Sequence, residues 1–240
     1  MWDFEQGEVL AFDKPLHWTS FDLVAKVRYN LCRKLGKKKL KVGHSGTLDP
    51  LATGVVMVCT GRKTKLIDQL QYEAKEYVAT LQLGATTPSY DMEKEVNETF
   101  PTDHINRELI DKTIPLFVGE QWQTPPMFSA IQINGKRAYE FARKGEEVEL
   151  KPRLLVIDEI EVLAFDAQTM QLTIRVVCSK GTYIRALARD IGERLGSGAY
   201  LTALRRTRVG DIRVEDCLTI EQFLEQLKDY EPENSSSETN

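Results

Sequence analysis

Asp49 is the residue whose surroundings invite chemistry. Between Lys26 and Lys65 eleven Lys or Arg stand against this single acid, which lies in the loop His44-Ser45-Gly46-Thr47-Leu48-Asp49-Pro50. If a neighbouring arginine keeps it ionised, such a carboxylate can attack an electrophilic carbon, that of a glycosidic bond or of an activated ring. The same Asp-Pro dipeptide can equally serve as a turn or helix cap with no chemical role. Other reaction classes lack their residues. There is no glycosidase-like pair of carboxylates and no G-x-S-x-G elbow. Gly61-Arg62-Lys63-Thr64 fails as a phosphate loop, because six residues separate Gly54 from Gly61 and Arg62 precedes the lysine. Cys32, Cys59, Cys178 and Cys217 are far apart and have only three histidines to help them, so they read as small buried hydrophobes rather than zinc ligands.

The net charge of -4 hides a segregation. The Lys26 to Lys65 stretch is strongly cationic, and Arg205, Arg206 and Arg208 form a second cluster that could reinforce it. From Glu215 to Asn240 eight acids face Lys228 alone. The cationic stretch is the footprint of a polyanion-binding surface; a solvated helix face with a solubilising tail is the plainer alternative. At 240 residues, 42% hydrophobic and 28% charged, the composition excludes collagen-like, disordered and disulfide-scaffold classes. No run approaches the roughly 18 apolar residues of a membrane span. The start Met1-Trp2-Asp3-Phe4-Glu5 lacks signal-peptide order, so the expected location is cytoplasmic, with no membrane partner.

The elements that must position these residues follow from periodicity. Ser20 is expected to cap a helix whose Val24, Val27, Leu31 and Leu35 share one face, stopped by Gly36. The apolar run Val55 to Val58 after the Asp49 loop reads as a strand or the start of a buried helix. Tyr77, Ala79, Leu81 and Leu83 alternate as a strand closes at Gly84. Residues 85–104 read as a long surface loop carrying Asp91. Ile105 to Val118 reads as helical, Gln123 to Met127 as extended around Pro125-Pro126, and Arg137 to Lys144 as a short helix ended by Gly145. Leu154 to Leu163 and Met170 to Cys178 suggest a hairpin turning near Asp166. Ile184, Leu187, Ala188, Ile191 and Leu195 share a helix face, and Thr219 with Gln222 forms a capping box for a last helix. From Tyr230 the chain reads as too polar to pack. With no repeat or linker, a single mixed α/β domain is the economical reading.

The string Gly43-His44-Ser45-Gly46-Thr47-Leu48-Asp49-Pro50-Leu51-Ala52-Thr53-Gly54 closely resembles the catalytic loop of the bacterial tRNA pseudouridine synthase B (TruB) family. The resemblance continues through Asp13-Lys14-Pro15, Thr19-Ser20, Lys75-Glu76-Tyr77 and Asp91. It extends to Gln123-Thr124-Pro125-Pro126, Ser129-Ala130, Gly135-Lys136-Arg137-Ala138-Tyr139, Gly181-Thr182-Tyr183-Ile184-Arg185 and Leu204-Arg205-Arg206-Thr207. These blocks stand in the family's order from residue 8 to about 218.

The resemblance implies an α+β pseudouridine synthase fold, a mixed, largely antiparallel sheet flanked by helices and loops. Residues 1–228 would form the catalytic domain and 229–240 an acidic, disordered tail. It implies isomerisation of uridine 55 in the tRNA T-loop by a monomer using no cofactor and no metal. Asp49 is then the nucleophile, forming an adduct at the ribose carbon or on the uracil ring. Arg185 pairs with it. Tyr77 stacks on the flipped base near the proton to be removed, Tyr183 and Leu204 line the uracil pocket, and His44 wedges into the T-loop. Lys14 and Pro15 support the pocket floor. Two departures stand out: Ser45 replaces the more usual Thr, and the 22 residues after Leu218 do not fit the PUA-type RNA-binding module that many members carry. Distal tRNA contacts would then fall to the Lys26 to Lys41 region.

Overall fold

The computed structural model describes residues 2–129, 131–133, 135–146 and 148–231, and the chain divides into two compact units, Met1–Glu73 with Arg208–Asn240, and Ala74–Thr207. The first unit opens with β1 (Val9–Lys14), α1 (Ser20–Lys34), β2 (Val42–Ser45) and β3 (Ala52–Thr60), then a 3-10 turn (Gly61–Leu66) and the single turn α2 (Ile67–Leu70). β3 pairs antiparallel with both β1 and β2, with Lys14 opposite Gly54 and Ser45 opposite Met57. The Val55 to Val58 run is thus a strand, and Asp49 lies in the connection between two paired strands. α1 forms because Leu23, Val24, Val27 and Leu31 recur on one buried face, each worth about 1.5–3 kcal/mol of burial. Its cap is Thr19 rather than Ser20. Thr19 Oγ1 accepts from Asp22 N at 3.0 Å, and Thr19 N donates to Asp22 Oδ2 at 2.9 Å. Those hydrogen bonds from Thr19 hold the Asp22 carboxyl below its ordinary value.

The second unit contains β4 (Lys75–Leu83), β5 (Ala85–Thr86), β6 (Glu98–Thr99), α3 (Arg107–Thr113) running into a 3-10 turn (Ile114–Phe117), β7 (Gly119–Gln123), β8 (Gln132–Ile133) and β9 (Lys136–Arg137). After these come α4 (Ala138–Ala142), β10 (Arg153–Asp166), β11 (Gln171–Cys178), α5 (Ile184–Arg194) and β12 (Ala199–Val209), whose last two residues belong to the first unit. The sheet order is β12-β4-β11-β10-β7. β11 pairs antiparallel with β4 and β10, and β10 with β7, so the expected hairpin and the largely antiparallel sheet are both present. On β4 the alternation places Tyr77, Ala79, Leu81 and Leu83 inward, as expected. The α5 face Ile184, Leu187, Ala188, Ile191 and Leu195 is buried. On the other face of β4, Glu76 joins Glu159 and Glu161 around the Arg175 guanidinium at 3.1, 2.6 and 3.0 Å.

Back in the first unit, β13 (Ile212–Arg213) folds against the end of β12, and α6 (Ile220–Asp229) starts at the Thr219–Gln222 capping box. α6 packs on α1 and β1, and Phe223 meets Phe12 with ring centroids 5.4 Å apart. Tyr230 still packs, its ring 5.0 Å from Phe4, so the chain remains in the core past the expected end of packing. The rest of the acidic tail, 232–240, and Ala130 lie outside the described residues.

Two expectations about polar residues need correction. Asp91 is not on a surface loop: it is 6% exposed, in a segment tied down by the β5–β6 pair. Arg206 is 1% exposed, which removes it from any basic surface. Cys59 and Cys178 are buried as expected, and burial pushes both thiols up to about 11, whereas Cys32 and Cys217 are half-buried.

Candidate active site

In the first unit the Asp49 loop is pinned on both sides of the carboxylate. The Ser20 hydroxyl, free of capping duty, accepts from Leu48 N at 2.9 Å and lies 3.2 Å from Leu48 O, to which it donates. Asp49 O accepts from Ala52 N at 3.0 Å, and Pro50 O accepts from His17 N at 2.8 Å. Gly46, at φ 73, makes the left-handed turn out of β2 that an L side chain would resist. The backbone is therefore fixed while the Asp49 residue itself stays half-buried, accessible to a ligand. Of the other expected residues in this unit, His44 lies on β2 rather than in the loop, its Nε2 3.3 Å from Thr47 Oγ1. Lys14 is fully buried at the end of β1, its ammonium donating to Pro15 O at 2.9 Å and Trp18 O at 2.6 Å. That anchors the chain entering α1.

Ser20→Ala would strand the buried Leu48 backbone groups without their side-chain partner. The expected cost is about 1–3 kcal/mol, a Tm several degrees lower, with activity reduced beyond what the unfolded fraction accounts for. Thermal unfolding and turnover measured on the same sample check it; an unchanged Tm would show that the hydroxyl is dispensable.

The second unit holds Tyr77, Tyr183, Arg185 and Leu204. Tyr77 is 8% exposed on β4, opposite Val176 of β11. Arg185, in the first turn of α5 and 5% exposed, donates to Ser89 O at 3.1 Å and Phe128 O at 2.8 Å. Its Nε lies 3.7 Å from Asp91 Oδ2. This explains the burial of Asp91, which sequence reasoning left on the surface. Tyr183 precedes α5 and is clamped to β7, its N donating to Gln123 Oε1 at 2.9 Å and its O accepting from Gln123 Nε2 at 3.2 Å. Leu204 is half-buried on β12. Among the described residues no group of His, Cys, Asp and Glu is arranged to hold a metal ion.

Comparison with known proteins shows which family the chain resembles. Residues 33–184 match the TruB family pseudouridylate synthase (N terminal domain), and residues 185–238 match the tRNA pseudouridylate synthase B C-terminal domain. The tRNA pseudouridine synthase B of Phocaeicola vulgatus is 62% identical over 98% of this chain and 100% of its own length. That of Bacteroides thetaiotaomicron is 64% identical over 97% of this chain and 98% of its own. Among solved structures, a Cbf5-Nop10-Gar1 complex matches with a TM-score of 0.68 at 29% identity, over 92% of this chain and 54% of that one. An H/ACA RNP bound to a substrate RNA containing 2'-deoxyuridine matches with a TM-score of 0.66 at 27% identity, over 95% of this chain and 57% of that one. This chain thus spans little more than half of those two.

Proposed function

Since the chain belongs to the TruB family of pseudouridylate synthases and is an isomerase that makes pseudouridine in tRNA, we propose that its target is uridine 55 of the T-loop and that Asp49 is the nucleophile. The reaction is an isomerisation: the N1–C1′ bond breaks, a C5–C1′ bond forms, C5 loses its proton and N1 ends protonated. Asp49 begins it in one of two ways, by attacking C1′ and expelling uracil or by adding to the uracil ring, and the same pinned loop serves both. The target uridine is flipped out of the RNA, because no side chain reaches its reacting atoms inside a stack. Tyr77 stacks on the extruded base near the C5 proton, Tyr183 and Leu204 wall the pocket, and His44 fills the place the nucleotide leaves. Arg185 holds the carboxylate charged and aimed. Lys14 supports the pocket floor. No cofactor or metal takes part, and the enzyme works as a monomer in the cytoplasm.

The observation that carries this reading is the Asp49 loop. A carboxylate whose neighbours on both sides are fixed by Ser20, Ala52 and His17 needs little reorganisation to reach a bound nucleotide. Mapping pseudouridine on a full tRNA transcript after incubation with the protein tests it. Conversion confined to position 55 is expected; conversion elsewhere in the tRNA would refute the assigned target.

The cationic stretch supports RNA as the partner. Arg33, Lys38, Lys39, Arg62 and Lys65 are exposed on the first unit, although Lys37 pairs with Glu5 and Lys63 lies 3.6 Å from Glu8. Neutralising several phosphates releases as many counterions, so affinity for a T-stem-loop RNA should fall on the order of 10²-fold or more between about 50 and 200 mM salt. A binding constant insensitive to salt in a filter or anisotropy titration would contradict this.

A further inference from the structure

Helix α5 carries a second arginine one turn beyond Arg185. Arg189 donates through Nη2 to Thr124 O at 3.0 Å and through Nε to Asp190 Oδ1 at 2.8 Å, and its guanidinium lies 5.1 Å from the centroid of the Tyr90 ring. Together with Trp122 and Glu193 these residues line a cleft of about 420 Å³, room for a nucleobase and part of its ribose. None of them has a part in the chemistry assigned to Asp49.

The cleft's walls are built at a cost. Trp122 is 73% exposed on β7, the last strand in the sheet order, opposite the exposed Leu154. Its indole therefore offers an open aromatic surface to water. Tyr90 has φ 59, a left-handed conformation that is strained for a bulky residue. It is held there by Tyr90 N donating to Thr87 O at 3.1 Å and Tyr90 O accepting from Leu201 N at 3.0 Å. Burial pushes the Asp190 carboxyl up, against the pull of Arg189.

The charges select the ligand. Arg189 and Asp190 neutralise each other, and Glu193, whose Oε1 is 4.0 Å from Arg189 Nε, leaves a small negative excess. A phosphate would be repelled by it, and a cationic side chain would meet the guanidinium already in the wall. A neutral flat ring with N–H donors meets neither difficulty. It can stack on Trp122 and present its N–H edge to the carboxylates. Guanine fits best, since its N1–H and N2–H₂ lie side by side and match a carboxylate, whereas adenine offers a single amine. The location suits an RNA strand. Tyr90 stands between Ser89 and Asp91, both of which touch Arg185, and Arg189 is about 6 Å from Arg185 along the helix, one to two nucleotide steps.

We propose that this cleft is a second base-binding subsite, seating an unpaired guanine of the tRNA near the target uridine, with its ring on Trp122 and its N–H edge on Glu193. The inference rests on the T-loop reading given above.

The test combines Trp122→Ala, Trp122→Phe and Glu193→Gln with T-stem-loop RNAs in which each unpaired guanine in turn is made abasic or replaced by inosine. Affinity is measured directly and KM from pseudouridine formation. Removal of one particular guanine should weaken the wild-type protein about tenfold. Trp122→Ala should weaken the intact RNA by a similar factor and be insensitive to that removal, with Trp122→Phe restoring most of the loss. Inosine at that position should reproduce Glu193→Gln. Because Trp122 is so exposed, an unchanged Tm is expected for its variants. Wild-type affinity in Trp122→Ala, or losses that multiply rather than coincide, would overturn the subsite while leaving position-55 modification standing. Failure of wild-type protein to modify any T-loop RNA would instead remove the reading on which the subsite rests.

Discussion

Asp49→Asn is expected to abolish pseudouridine formation, by on the order of 10⁴-fold or more, while the protein still binds T-stem-loop RNA. The amide occupies the same volume and leaves the anchors on the Leu48, Asp49 and Pro50 backbone untouched. It cannot form the covalent bond to carbon. Removing a negative charge from a surface that binds a polyanion should, if anything, tighten RNA binding slightly. Product yield and binding titrations on one preparation separate the two effects. Activity of the variant near the wild-type level would exclude Asp49 as the nucleophile, and loss of binding in parallel with activity would point to a structural role for the Asp-Pro turn.

Arg185 variants should show the next largest effects, split between stability and catalysis. Arg185→Met leaves Asp91 buried without its guanidinium and strips the donors from Ser89 O and Phe128 O. Breaking a buried pair in this way costs about 3–5 kcal/mol, a drop of roughly 10 °C in Tm for a chain of this size. Arg185→Lys keeps the charge but loses the planar fork that meets two carbonyls and a carboxylate at once. It should unfold closer to the wild type and yet lose about 10²-fold or more in kcat/KM. Near-normal turnover in Arg185→Lys would mean that the side chain only ties α5 to Ser89 and Phe128.

The parts of the fold legible in the sequence are those with local signals. The strand alternation from Tyr77 to Leu83, the hairpin around Asp166, the buried face of α5 and the Thr219–Gln222 capping box all depend on spacing within a few residues. Two of the departures, Ser20 and Asp91, involve polar groups whose partners lie far away in the chain. Ser20 was one residue from the true cap, and its hydroxyl serves Leu48, 28 residues on. Asp91 sits in a stretch polar enough to read as surface, and it is buried because Arg185 meets it. Arg206 has the same composition signal as any exposed arginine. For the site, spacing singled out Asp49 as an unusual carboxylate but left a turn-forming role as the commoner reading; it was the resemblance across many blocks that named Tyr77, Tyr183, Arg185, Leu204, His44 and Lys14. The cleft formed by Tyr90, Trp122 and Arg189 had no motif at all, since its walls come from a loop, an edge strand and a helix that only the fold assembles.

The most direct test of the central claim is release of label from a T-stem-loop RNA carrying tritium at carbon 5 of its target uracil. With wild-type protein, tritium should enter water in step with pseudouridine, one per uridine converted, and no release should occur with Asp49→Asn. Tight binding of that RNA by the wild-type protein without any release would contradict the account.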